Sequence, residues 1–145
     1  MIHYKSGDLL ASDCDVIVHG CNCFNTFGAG IAKQIREQYP EADAADQRTV
    51  RGDRKKLGTI RVVPSRGKFI VNLYSQYEHG GRGRGGVYVD YGALERGMTE
   101  LRTWAFQMGS WPKIGMPRIG CGLAGGEWSR VKDILDPVFW RKSIY

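Results

Sequence analysis

No apolar run in this chain approaches the roughly 20 residues that a bilayer-spanning helix needs. The N-terminal Met1-Ile2-His3-Tyr4-Lys5 also lacks the apolar stretch of a signal peptide. We therefore expect no membrane partner and a cytoplasmic address. Cysteine is scarce: Cys14, Cys21, Cys23 and Cys121 are the full set. Cys21 and Cys23 stand two apart, which is not the spacing of a structural zinc knuckle. These thiols read as free buried groups in a reducing compartment. Histidine numbers only three, and no His/Asp/Glu cluster has metal-ligand spacing. No metal and no other cofactor is expected. Internal repeats and long linkers are also lacking, so the 145 residues are expected to form one domain, 1–145, and to act as a monomer.

What the chain has in plenty is glycine, 20 residues, and positive charge, a formal +6. Basic balance suggests an anionic partner. The charge is scattered over Arg48, Arg51, Arg54, Lys55 and Lys56, then Arg82 and Arg84, then Arg130, Lys132, Arg141 and Lys142. A solvated surface accounts for most of it, and a phosphate-bearing ligand is compatible with it. Nucleic acid is not demanded. The segment Arg82-Gly83-Arg84-Gly85-Gly86 is short and has no aromatics interleaved as stacking platforms.

Hydrophobic periodicity orders the chain. Ile2 and Tyr4 alternate with polar neighbours as in a short strand, and Val16-Ile17-Val18 reads as a strand buried on both faces. Ile31, Ile35 and Tyr39 mark a helix that Pro40 stops, and Glu41 to Arg54 reads as helical and then polar. Thr59–Val63 and Phe69–Tyr74 read as strands around the turn Pro64-Ser65-Arg66-Gly67. His79 to Gly86 is expected to be a mobile loop by composition. Leu94, Met98, Leu101 and Ala105 mark the next helix, with Gly109 as its cap, and Ile114–Met116 a short strand. Trp128, Val131, Leu135 and Val138 mark the last helix, which Pro137 bends or ends, and Ser143–Tyr145 adds a brief terminal strand. The result is an α/β layered domain with a mixed sheet.

Two glycine-rich loops each follow a buried strand and precede a helix. The first runs from Asn22 through Gly28-Ala29-Gly30-Ile31 to Ala32. It is compatible with a plain tight turn, and also with a cradle in which helix-start N–H groups bind a diphosphate. It is not a P-loop, and Lys33 stands where a dinucleotide fingerprint has its third glycine. The second, Gly120-Cys121-Gly122-Leu123-Ala124-Gly125-Gly126, repeats the arrangement. Two such loops can grip a diphosphate from both sides, at the carboxyl ends of strands where open α/β sheets bind ligands. Asp8 is either a surface turn residue or an acceptor for an exocyclic amine.

Gly7-Asp8-Leu9-Leu10, Asp15-Val16-Ile17-Val18-His19-Gly20-Cys21-Asn22, Gly28-Ala29-Gly30-Ile31-Ala32 and Met116-Pro117-Arg118-Ile119-Gly120-Cys121-Gly122-Leu123 together resemble the macrodomain family. The resemblance runs from Ile2 to about Val138. It is nearest to the ADP-ribose-1''-phosphate phosphatase branch, with its yeast and phage-like members, and to the terminal ADP-ribose glycohydrolase of animals. It implies a three-layer αβα fold around a mixed sheet of about six strands, and a cleft for ADP-ribose or ADP-ribose 1''-phosphate. By position it implies that Asp8, with Leu9 beside it, binds the adenine amine. Gly28, Ala29, Gly30 and Ile31 would line the diphosphate. Gly120, Cys121, Gly122, Leu123 and the following Ala124 would close over the diphosphate and distal ribose, and Asn22 would contact that ribose.

Departures from the family bear on the chemistry. The glycohydrolase class carries a lysine where this chain has Gln76, and an aspartate where it has Ala124. Neither replacement forms a Schiff base or acts as a general base. His19 replaces the first asparagine of another macrodomain branch, and the phosphatase branch carries histidine here. It is either a satisfied structural group or an acid/base facing the distal substituent. Asp90 is a second candidate acid or base, while His3 and His79 read as surface groups. The leading expectation is a hydrolase that converts ADP-ribose 1''-phosphate to ADP-ribose and phosphate. A binding module without turnover is the alternative, as is an ADP-ribosyl hydrolase acting on modified protein or nucleic acid. Because backbone N–H groups rather than a metal are expected to hold the phosphates, EDTA should leave ligand affinity and turnover unchanged. Inactivation rescued by one divalent ion would reveal a metal site.

Overall fold

The computed structural model describes residues 1–79 and 86–145, and of Leu123 only the backbone. The expected mobile loop and the Arg82–Gly86 motif thus lie almost wholly outside the described residues. The elements run β1 (Val16–Cys21), α1 (Gly30–Gln38), α2 (Pro40–Gln47), β2 (Ile60–Ser65), β3 (Lys68–Tyr74), α3 (Tyr91–Phe106), β4 (Ile114–Gly115) and α4 (Trp128–Val138), with short 3-10 turns at Leu9–Ala11, Arg54–Lys56 and Gly122–Ala124. Among the described residues no helix is long and apolar enough to cross a membrane.

The sheet has the order β2-β3-β1-β4. β1 pairs in parallel with β3 and β4, while β2 is antiparallel to β3. The mixed sheet expected from the sequence is therefore present, but with four strands rather than six. The terminal segments make only an isolated bridge, Ile2 to Ile144, too short to count as strands. Pro64 lies in β2 rather than in the turn, which its edge position allows. The turn narrows to Arg66 and Gly67, whose φ values of 53° and 82° are the left-handed pair a tight hairpin requires.

Strand alternation sorts the core into two layers. Val16, Val18, Val71 and Leu73 pack with Leu94, Met98 and Leu101 of α3 and Val131 and Leu135 of α4. Ile17, Cys21, Ile70 and Tyr74 pack with Ile35 of α1 and Ala42 of α2. This is the αβα sandwich. Pro137 sits in the last turn of α4 and the helix ends one residue later, so it ends the helix. α3 stops at Phe106, before Gly109.

His19 shares the face of Ile17 and Cys21, and the parallel register sets it beside Asn72. Its Nε2 lies 2.7 Å from Asn72 Oδ1, and Asn72 Nδ2 donates to the Ala42 carbonyl of α2 at 3.0 Å. The second bond orients the amide, so its oxygen faces the ring and His19 Nε2 must be the donor. The ring is fully buried and meets Phe27 edge to face, with Cys21 Sγ at 3.5 Å from Nε2. Burial lowers its pKa to about 4, against a smaller opposing contribution from Asn72. The expectation that His19 works as an acid or base is corrected here. It is a neutral pin joining β1, β3 and α2.

This pin makes stability depend on pH. The folded-state pKa lies below the ordinary 6.5, so between those values the unfolded chain binds a proton that the folded chain excludes. The contribution is fully present above about pH 6.5 and is lost as pH falls, at about 1.4 kcal/mol per unit. Urea unfolding should show wild type losing about 2 kcal/mol more than His19→Gln between pH 7 and pH 5. Equal losses in the two proteins would show that His19 does not titrate with unfolding.

Candidate functional site

β1, β3 and β4 run in parallel, so their carboxyl ends open on one side, where α/β folds bind ligands. There Gly20, Cys21 and Asn22 leave β1, Gln76 follows β3, and Pro117 to Cys121 follow β4. All of them line one cavity of ≈ 550 Å³. The first loop supplies Thr26, Phe27, Gly28, Ala29, Gly30, Ile31 and Ala32, and Ala124 closes the lining. A larger cavity of ≈ 1060 Å³ adjoins it, lined by Tyr4, Asp8, Leu9 and Trp128 among others. Ile31, Pro117 and Arg118 line both cavities, so the two form one continuous groove.

The first glycine loop opens α1 in an unusual way. Its N-cap is Ala29, which has no side chain to cap with, and the first bond into the helix runs from Lys33 N to Ala29 O. The N–H groups of Gly30, Ile31 and Ala32 thus precede the first bond into the helix, at the positive end of its dipole and within the cavity lining. Gly30 has φ +59°, and a Cβ at Gly28 or Gly30 would meet nothing within 4 Å. The space above this helix start is open to a ligand.

A polar network beneath fixes the loop's path. Asn25 takes the left-handed φ of 58°, and the nearly buried Lys56 donates to its Oδ1 at 2.7 Å and to Thr49 Oγ1 at 2.9 Å. Asn22 donates to Thr26 Oγ1 at 2.7 Å and accepts from Phe24 N at 2.8 Å. Its amide nitrogen donates within the loop, which leaves Oδ1 with capacity for one further bond. The second loop is held as tightly. Tyr88 N and Val89 N donate to Ala124 O, and a Cβ at Gly126 would lie 2.3 Å from Gly120 O.

The groove gathers most of the residues singled out from the sequence. Asn22, Gly28, Ala29, Gly30, Ile31, Gly120, Cys121 and Ala124 line the smaller cavity, and Asp8 and Leu9 the larger. Asp8 also caps the turn after it, accepting from Leu10 N at 3.0 Å through Oδ1. Gly122 and the backbone of Leu123 form the turn between Cys121 and Ala124, and Gly122 does not line the cavity. His19 and Asp90 line neither cavity. Asp90 is the N-cap of α3, and its Oδ1 accepts from Ala93 N at 2.9 Å.

Thr26, Arg118 and His79 are polar lining residues outside the site expected from the sequence. Thr26 was hidden in a loop read for its glycines. Arg118, its guanidinium 5.3 Å over Trp128 and 5.9 Å over Tyr4, was passed over as part of a strand leading to a loop. His79 was read as a surface group. Among the described residues no carboxylate lines the smaller cavity, and His79 is its one imidazole. The Cys21 thiol is pushed well above its ordinary range and that of Cys121 is also raised, burial being the main cause in both, so neither is a ready thiolate nucleophile. Among the described residues no three His, Cys, Asp or Glu side chains could share a metal ion.

No family model matches the sequence. The chain is 35% identical to a 17.5 kDa protein of the tk-vs intergenic region of Enterobacteria phage T4, over 94% of this chain and 88% of that protein. It is 29% identical to a DNA ADP-ribosyl glycohydrolase of Mycobacterium tuberculosis, over 96% of this chain and 39% of that larger protein. Identity is 28% to an ADP-ribose 1''-phosphate phosphatase of Scheffersomyces stipitis, over 93% of both chains. Among solved structures, the macrodomain of Mycobacterium tuberculosis DarG superposes with a TM-score of 0.79 at 25% identity, over 100% of this chain and 97% of that one. The sandwich, the two glycine loops at the carboxyl ends of its parallel strands and these likenesses agree: the chain belongs to the macrodomain family.

Proposed function

We propose that this macrodomain binds ADP-ribose along the groove and hydrolyses the substituent on the distal ribose, phosphate in the case of ADP-ribose 1''-phosphate. The observation that carries the reading is the start of α1, which has no side-chain cap and lines the cavity at the waist of the groove. A diphosphate is the group that fits such a donor set. Seated there, it directs the adenosine toward Asp8 and Leu9 in the larger cavity. The distal ribose then lies toward Asn22, Gln76 and Ala124. The mycobacterial and yeast relatives, named as a glycohydrolase and a phosphatase of ADP-ribose derivatives, support a reaction at that end.

In this reading Asn22 accepts from a ribose hydroxyl and sets its position, a geometric role. Water adds its hydroxyl to one product and its proton to the other. His79, the imidazole of this cavity, takes the acid/base role that His19 is too buried to fill.

Calorimetry with ADP-ribose and phosphate release from ADP-ribose 1''-phosphate test the proposal together. Asp8→Ala should weaken ADP-ribose about tenfold, the loss of a charge-assisted hydrogen bond. Gly28→Glu has room and no backbone strain, yet places a carboxylate where the diphosphate lies, so it should abolish binding in a folded protein. Normal affinity in folded Gly28→Glu would remove the phosphates from this loop. For turnover, His79→Ala should lose on the order of 10²–10⁴ in rate while keeping its affinity. Wild-type protein that binds ADP-ribose tightly but releases no phosphate, and cleaves no other distal substituent, would be a binding module instead.

A further inference from the structure

Of the residues that line both cavities, Ile31, Pro117 and Arg118, the last is charged, so a cation stands at the waist of the groove. The other cations of the larger cavity, Lys5 and Lys113, lie over the Tyr145 ring at 5.2 and 4.7 Å from its centre. Neither of them lines the smaller cavity.

Two rings hold Arg118 in place. Its guanidinium carbon lies 5.3 Å from the centre of the Trp128 ring and 5.9 Å from that of Tyr4, both within cation–π reach. The rings are themselves joined, for they meet at 77° and Trp128 Nε1 donates to the Tyr4 hydroxyl at 3.0 Å. Stacking uses the face of a guanidinium and leaves the N–H donors in its plane to other partners. Among the described residues the ion pairs are Lys113–Asp13 and Lys132–Asp136, so no carboxylate neutralises Arg118. Burial raises the Cys121 thiol and the Arg118 charge opposes that rise, so the cation also acts on the second glycine loop.

With a diphosphate at the start of α1 and the adenine at Asp8, the ribose that joins them spans the waist. Its 2'- and 3'-hydroxyls are then the ligand groups nearest Arg118. Where a site is built for free ribose hydroxyls it offers them a carboxylate, and where it is built for a phosphate on that ribose it offers an arginine. The waist has the arginine and lacks the carboxylate. Asp8 accepts from Leu10 N, Asp13 pairs with Lys113, and neither lines the smaller cavity.

We propose that Arg118 selects ligands phosphorylated on the adenosine ribose, so that the groove takes ADP-ribose derivatives with a phosphomonoester on the 2'- or 3'-hydroxyl. This rests on the ADP-ribose reading above and adds to it the class of ligand. The planar fork of a guanidinium matches two phosphate oxygens at once. A phosphomonoester at neutral pH carries about −1.5 to −2 charges, which a plain hydroxyl lacks altogether. The diphosphate does not need this cation, because the start of α1 supplies its donors. The added phosphate lies far from the distal ribose, so Arg118 sets specificity and takes no part in the bond that is cut.

Calorimetry with three ligands tests the proposal: ADP-ribose, and ADP-ribose bearing a 2'-phosphate or a 3'-phosphate on its adenosine. Wild type should bind one of the phosphorylated ligands about tenfold more tightly than ADP-ribose, the gain of a charged hydrogen-bonded pair. That preference should shrink as salt is raised, since Arg118 is open to solvent. Arg118→Gln should bring all three affinities to within about twofold of one another. Arg118→Lys, which keeps the charge and loses the fork, should keep part of the preference. Equal binding of the three ligands by wild type, or a preference that survives in Arg118→Gln, overturns the inference while the ADP-ribose reading stands. So does an Arg118→Gln variant that loses as much affinity for ADP-ribose as for the phosphorylated ligand, because the arginine would then serve the part common to both. Binding of none of the three by folded wild type overturns the ADP-ribose reading, and this inference with it.

Discussion

Asn72 has one side-chain oxygen and one side-chain nitrogen, and the fold uses them in opposite directions. The oxygen meets His19 of β1, and the nitrogen meets the Ala42 carbonyl of α2. All three groups are buried, so each would carry a desolvation cost of about 1–3 kcal/mol if left without its partner. The pair closes only if β1 and β3 are parallel and in the observed register. That register brings the ends of both strands to the same height, where Asn22 and Gln76 enter the cleft. The position of the site is thus a consequence of a polar constraint inside the core.

A second polar layer carries the constraint outward into the loop. Tyr74, the last residue of β3, donates to Asp46 Oδ1 at 2.6 Å, and Asp46 is buried at the end of α2. Burial raises the Asp46 carboxyl pKa, and the same burial pushes the Tyr74 hydroxyl far above its ordinary range. Thr49 bonds back to Asp46 O, Lys56 reaches Thr49 and Asn25, and Asn25 Nδ2 donates to Thr49 O. These bonds hold Asn25 in the left-handed region, which costs a non-glycine residue about 1 kcal/mol. The chain turns there toward Gly28 and Gly30. The loop that presents free N–H groups is therefore rigid beneath and open above, the arrangement a preformed anion site needs.

Local requirements were legible in the sequence and non-local ones were not. A glycine at a strand-to-helix junction announces a close backbone approach wherever it occurs, so both loops could be read from Gly28, Gly30, Gly120 and Gly122. The strands and helices followed from apolar spacing, and the boundaries at Pro40 and Pro137 from proline geometry. His19 misled because its chemistry is ambiguous and its face is decided by neighbours 53 residues away, at Asn72. The capping role of Asp90 depends on where α3 begins, which the sequence around the expected mobile loop does not mark. His79 lies in the lining only through the path the chain takes after β3. Two strands were over-counted because alternation at Ile2–Tyr4 and Ser143–Tyr145 signals half-burial, and only Ile2 and Ile144 find each other across the chain.

The distribution of charge divides the labour within the groove. Among the described residues the smaller cavity has no carboxylate, and apart from its thiols its ionisable side chains are His79 and Arg118. In the proposed reading a diphosphate would be met chiefly by backbone dipoles, which are fixed in the fold and lose no rotamer freedom on binding. Backbone donors release no counterions, so this part of recognition should be nearly indifferent to salt. Arg118 stands instead at the waist, where contact with a further phosphate would be salt-dependent. A ligand without that phosphate would be held by geometry, and one that carried it would gain charge-driven affinity without altering the groove. A cation set after β4 rather than on α1 leaves a diphosphate to the helix start that orients it.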